Sequence, residues 1–139
     1  MILLDANILV IDLGYIRDRQ FDENLAFLTH TFAHDIDRGI TSQGLLEVVG
    51  KRSFNVSKTL VASLPSAVAK KYGLSVIPDP SSHPDYSGCT FDEIVMQMTL
   101  KMSLGDAVMA VQIAKFAPTA SALITWDAAH FRGKAGSGK

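Results

Sequence analysis

Four acids stand where their chemistry would matter: Asp5, Glu47, Asp106 and Asp127. Asp5 follows Met1–Leu4, a short apolar run of the kind that forms a buried parallel strand, and Asp127 follows a second such run at Ala122–Thr125. Glu47 falls early in a helix expected over Gly44–Arg52, just after a very short strand at Ile40 and Thr41. Asp106 opens a helix that runs to about Phe116. In an open parallel sheet, ligands bind beyond the carboxyl ends of the strands, so the four acids are expected at one rim. Carboxylates within roughly 6 Å of one another repel by about 3 kcal/mol per pair at an effective dielectric near 20. Protonation is one escape and a divalent cation the other. An all-oxygen set without Cys or clustered His selects Mg²⁺ or Mn²⁺ over Zn²⁺. Water activated beside such an ion attacks phosphorus, which makes a phosphodiester the natural substrate.

Each acid also has a purely structural role open to it. Asp5 is placed to cap a helix, and Asp106 to complete a capping box with Ser103. Glu47 reads equally as a solvated helix residue and Asp127 as a turn cap. Their joint placement, rather than any one of them, carries the metal reading.

The elements that must position these acids are legible from pattern. A mostly apolar helix is expected over Ile8–Ile16. A second spans Phe21–Ile36, with Phe21, Leu25, Leu28, Phe32 and Ile36 as its inward face. Ser57–Tyr72 is helical in pattern but interrupted at Pro65, and Gly73 ends it. Leu74–Ile77 is a strand and Pro78–Gly88 a loop. Thr90 and Glu93 form a capping box for a helix through about Met102. Strands alternating with helices imply an α/β fold with a parallel sheet covered on both faces.

Four stretches resemble the motifs of the PIN-domain family. Leu3–Val10 is an apolar strand, then Asp-x-Asn, then an apolar helix; Thr41–Glu47 is similar to the family's second element. Leu104–Ala110 resembles its third, an Asp opening a small-residue helix. Leu123–Phe131 resembles its fourth, a strand leading into Thr-x-Asp and a His-Phe pair. The resemblance runs from residue 1 to about 132 and implies a PIN-like, Rossmann-like α/β/α sandwich with a central parallel sheet of four to five strands. It implies a Mg²⁺- or Mn²⁺-dependent endoribonuclease whose catalytic and metal-binding residues are Asp5, Glu47, Asp106 and Asp127, with Asn7 and Thr125 in support. The short chain resembles the VapC-type toxins of toxin–antitoxin pairs. That implies RNA as substrate, a small antitoxin as partner, and a homodimer. A catalytically inactive PIN-like protein- or RNA-binding module is the alternative. Two departures stand out. Ala6 replaces a frequent Thr or Ser, and after Phe131 the family's fifth, apolar edge strand gives way to Arg132–Lys139. The domain is therefore expected over 1–132, with 133–139 a flexible tail.

Other classes fit less well. A haloacid-dehalogenase-type phosphatase also opens on an apolar strand and Asp, but wants a second Asp where this chain has Asn7, and another that Ala107–Ala110 does not supply. A dinucleotide-binding domain needs a Gly-rich turn in place of Asp5-Ala6-Asn7. The chain has 139 residues, 47% of them hydrophobic, enough for a core without staples. A net charge of −1 argues against a uniformly basic nucleic-acid binder. Committing four acids to metal turns the remaining balance positive, which permits a basic rim around an acidic pocket. The single Cys89 excludes an internal disulfide and fits a cytoplasmic location. No apolar run approaches the roughly 18 residues of a membrane span, and Asp5 within the first ten residues argues against a signal peptide.

Among the remaining residues, His30 and His34 read as surface histidines. Met96, Met98, Met102 and Met109 read as core filler, and Trp126 as packed beside a strand end. Arg17 and Arg19 lie in a loop, solvated or touching RNA phosphate.

Overall fold

The computed structural model of the chain describes residues 1–127. Residues 128–139 lie outside this range, and with them the His130-Phe131 pair, the expected domain boundary at 132, the tail and any fifth strand.

The described residues form an α/β fold whose central sheet has four strands, all parallel: β1 (Ile2–Leu4), β2 (Arg38–Thr41), β3 (Leu74–Ile77) and β4 (Ala122–Ile124). The order β3-β2-β1-β4 means that the chain steps outward from β1 to β3 and then returns to the other side of β1. The carboxyl ends of β1 and β4 thus meet at the point where strand order reverses, the place at which open α/β sheets leave a crevice. Leu4 pairs with Ile124, so Asp5 and Thr125 leave the two strands side by side.

Helix α1 (Ala6–Gly14) leaves β1 directly and buries Ala6, Ile8, Leu9, Val10 and Ile11. It packs against α2 (Phe21–Ala33) and α3 (Ser42–Arg52). A 3₁₀ turn, Ser53–Asn55, follows α3. The interrupted segment resolves into α4 (Lys58–Val61) and α5 (Leu64–Tyr72), with Pro65 inside the first turn of α5 and Gly73 left-handed at its end, as the pattern predicts. Helices α6 (Phe91–Met98) and α7 (Leu104–Phe116) fill the connection to β4. The Thr90–Glu93 capping box is present, and Ser103 caps α7 through its bond from Asp106 N. Among the described residues no helix is long and apolar enough to cross a membrane.

Several expectations need correction, among them the helices expected over Ile8–Ile16 and Gly44–Arg52, which each begin two residues early as α1 and α3. Helix α2 stops at Ala33, three residues early, because Asp35 turns left-handed (φ 51°) and closes a Schellman cap: Ile36 N donates to Thr31 O and Asp35 N to Phe32 O. Its buried face is Asn24, Leu28 and Thr31, leaving Leu25 and Phe32 exposed. Strand β2 begins two residues early, at Arg38, which is buried yet satisfied: Nε donates to Tyr72 O, and Nη1 to Thr31 O and Ile36 O. Helix α6 ends at Met98, where the chain tightens into a turn with Lys101 left-handed. Met102 and Met109 are buried as expected, but Met96 is 67% exposed and Met98 also faces solvent.

Candidate carboxylate site

Asp5 is both the helix cap and the rim acid. Its Oδ1 accepts from Ala6 N at 2.7 Å, which caps α1, and its Oδ2 accepts from Thr125 Oγ1 at 2.6 Å across the switch point. Thr125 Oγ1 in turn accepts from Asn7 Nδ2 at 3.2 Å and from Asp127 N at 3.0 Å. Asn7 Nδ2 also reaches Asp127 Oδ2 at 3.2 Å. The two residues expected to support the acids, Asn7 and Thr125, therefore tie Asp5 to Asp127. The backbone contributes the same link, because Asp5 N donates to Ile124 O.

Glu47 approaches from α3. Its Oε2 accepts from Gln43 Nε2 at 3.0 Å, one turn earlier on the same helix. The start of α7 makes room for it: a Cβ at Gly105 would lie 2.5 Å from Glu47 Oε2 and 3.5 Å from Gln43 Nε2. Gly105 immediately precedes Asp106, whose charge reaches Glu47.

The electrostatics agree with that proximity. Burial is the main force raising the Asp5 pKa above its ordinary value. The bonds from Thr125 and Ala6 oppose it, and the charges of Asp106 and Asp127 add to it. The Glu47 pKa is also raised, first by burial and then by the charges of Asp5 and Asp106, against the bond from Gln43. Asp5 thus lies within electrostatic reach of Asp106 and Asp127, and Glu47 within reach of Asp5 and Asp106. Even so, among the described residues no three Asp, Glu, His or Cys side chains converge to the spacing of a metal-ligand set. The donor chemistry, all carboxylate oxygen, suits a hard divalent cation.

Sequence reasoning missed the residues that hold the Glu47 side of the rim. Gln112 is fully buried in α7; its Oε1 accepts from Gln43 N, and its Nε2 donates to Ser42 Oγ and Ser87 O. Tyr86, from the Pro78–Gly88 loop, donates its hydroxyl to Gln43 Oε1. Gln43 is thus fixed at its backbone and at its amide, and it presents Nε2 to Glu47. The available signal was a lone amide, Gln112, within an otherwise apolar stretch of helix. Asn24, which follows Asp22 and Glu23 in the sequence and carries no such signal, was missed as well. It is buried, donates to Ile8 O and accepts from Trp126 Nε1 at 2.8 Å, fixing the indole beside the end of β4. His30 and His34 are exposed, their rings 4.1 Å apart. Arg17 and Arg19 are exposed as well.

Compared with known proteins, the chain matches no family model, no curated protein and no solved structure.

Proposed function

We propose that this rim hydrolyses RNA phosphodiester bonds with Mg²⁺ or Mn²⁺, in a PIN-like α/β/α domain of the VapC toxin type. One observation supports the reading: at the carboxyl-end switch point of a parallel sheet, Asp5 is bonded through Thr125 and Asn7 toward Asp127 and feels the charges of Asp106 and Asp127, while Glu47 feels those of Asp5 and Asp106. A bound divalent cation would supply a Lewis acid for the phosphoryl oxygen and lower the pKa of a water. The chain's own residues orient the acids. Thr125 and the Ala6 amide fix both oxygens of Asp5, Asn7 holds Asp127, and Gln43 holds Glu47. In hydrolysis, water oxygen bonds to phosphorus, the P–O3′ bond breaks, and the 3′ oxygen leaves as a hydroxyl with a 5′-phosphate on the other fragment. A small antitoxin partner, a homodimer and a cytoplasmic location belong to the same proposal.

A second reading is favoured by the acids' failure to converge on a ligand set: a PIN-like module that binds RNA or protein without cutting. One assay separates the two. Protein stripped with EDTA and then supplied with Mn²⁺ should cleave RNA to 5′-phosphate ends, and Asp106→Asn should lose that activity by orders of magnitude while keeping its fold. Cleavage that persists in EDTA, or an Asp106→Asn variant as active as wild type, defeats the nuclease proposal.

A further inference from the structure

A groove opens beside Glu47. It has a volume of about 740 Å³ and is lined by Tyr15, Glu47, Gly50, Lys51, Ser53 and Phe54. Phe54, in the 3₁₀ turn after α3, is 90% exposed, and Tyr15, at the end of α1, is 53% exposed. Among the described residues, Phe54 is left almost wholly outside the core, and its ring stands in the groove wall beside Tyr15. These two aromatic rings are the large apolar surfaces of the lining, which among the described residues includes no Leu, Ile, Val or Met. An amphipathic peptide helix seats aliphatic anchors in an aliphatic groove, and this lining does not offer one.

The charge pattern points to a nucleic acid. Lys51 lies in the groove wall, and Arg52 and Asn55 line an adjoining cavity with Tyr15 and Lys51. The Arg52 guanidinium is held against the end of α1, where a Cβ on Gly14 would meet its Nη1 at 3.0 Å. Beyond Tyr15 the surface continues through Ile16, Arg17 and Asp18. Lys51 and Arg52 beside two aromatic rings, with the Glu47 carboxylate in the same groove, match a strand whose bases stack while its phosphates run past the cations. A volume of this size accommodates a nucleotide.

We propose that the groove is a base-stacking subsite. Tyr15 and Phe54 take an unpaired nucleobase adjoining the phosphodiester at the rim, and Lys51 faces a neighbouring phosphate, so the ligand is single-stranded RNA. The subsite rests on the RNA reading of the rim. A paired base has no free face to offer both rings, so duplex RNA is excluded.

The test uses the full chain in EDTA, which holds off metal-dependent cleavage, and a single-stranded RNA oligonucleotide carrying 2-aminopurine at successive positions. Stacking on an aromatic ring quenches that fluorophore. Wild type and Phe54→Trp should quench it at one preferred position, and the same oligonucleotide annealed to its complement should show no quenching. Phe54→Ala and Tyr15→Ala should each weaken binding about tenfold and lose the quenching. With Mn²⁺ restored, the loss should fall on KM more than on kcat. Binding and quenching unchanged in Phe54→Ala and Tyr15→Ala overturn the subsite, even if RNA is cleaved. So does a Phe54→Ala variant that loses only its hold on a protein partner, since the groove then takes peptide. Quenching through Phe54 in a chain that never cleaves keeps the subsite and removes the nuclease proposal instead.

Discussion

The two sides of the rim hold their acids by different means. On the β1/β4 side, Asp5 is 8% exposed, both its oxygens are bonded, and the network through Thr125, Asn7 and Asp127 joins segments 120 residues apart. On the α3/α7 side, Glu47 is half-buried, accepts one bond from a residue on its own helix, and owes its space to a missing side chain at Gly105. An acid at a strand end is built into the backbone's hydrogen bonding, so its structural and chemical roles cannot be parted by deletion. An acid on a helix face is held by side chains alone, and there the roles do come apart. The structural reading of Asp5 is therefore compatible with the proposed chemical one, because the cap holds the carboxylate at the strand end with its second oxygen on Thr125.

The sharpest way to break this contrast is at Asp5. Asp5→Ala removes the α1 cap and leaves the Thr125 hydroxyl without its acceptor, a loss of about 2 kcal/mol in a urea melt, together with all RNA cleavage. Asp5→Asn keeps an acceptor for the Ala6 amide and should stay within about 1 kcal/mol of wild type while still losing cleavage. Equal stability of the Ala and Asn variants would show that the cap is not what holds this side.

Gly105→Ala probes the other side. Alanine favours a helix over glycine by about 1 kcal/mol, and the methyl group's nearest neighbour is the tip of a flexible side chain, Glu47 Oε2. Stability should hold or rise as the carboxylate is pushed aside, and cleavage should fall about tenfold. A variant that is less stable but fully active would mean that Glu47 does not need that position.

The smallest effect is in pH. The folded pKa values of Asp5 and Glu47 lie above their ordinary values. The two groups therefore add stability at pH below about 4, where both folded and unfolded chains are protonated. That stability is lost as pH rises through the raised folded values. Glu47→Gln removes one such group, so without added metal it should gain on wild type between about pH 4 and 7, by about 1 kcal/mol or less because Glu47 is only half-buried. A gain that grows instead toward acid pH would contradict the sign.

Much of this was legible locally. Strand β1, the caps at Thr90 and Ser103, the left-handed Gly73 and the placement of Asp5, Asp106 and Asp127 near element ends depend on residues within a turn of one another, whereas Glu47 falls in the middle of α3. The misread stripe of α2 has a different origin. Spacing alone put Leu25 and Phe32 inside, whereas the face toward α1 carries Asn24 and Thr31, whose polar atoms are satisfied by Ile8 O, Trp126 Nε1 and Leu28 O. Buried polar residues with tertiary partners look like solvent-facing ones in a sequence. Arg38 misled in the same way, since its partners Thr31, Ile36 and Tyr72 become visible only once β2 lies between their segments.

By itself, then, the sequence determined an α/β chain with an acid at the end of β1, another just past β4, a third in the first turn of a helix and a fourth on a helix, because strands, caps and turns are set by short-range sterics and hydrogen bonds. Only the tertiary structure decided that β4 pairs with β1 rather than β3, placing Thr125 against Asp5, and that α7 lies on α3 with Gly105 against Glu47. Those contacts join residues brought together by sheet order and helix packing, and no local pattern carries information about a hydrogen bond whose partner is 120 residues away.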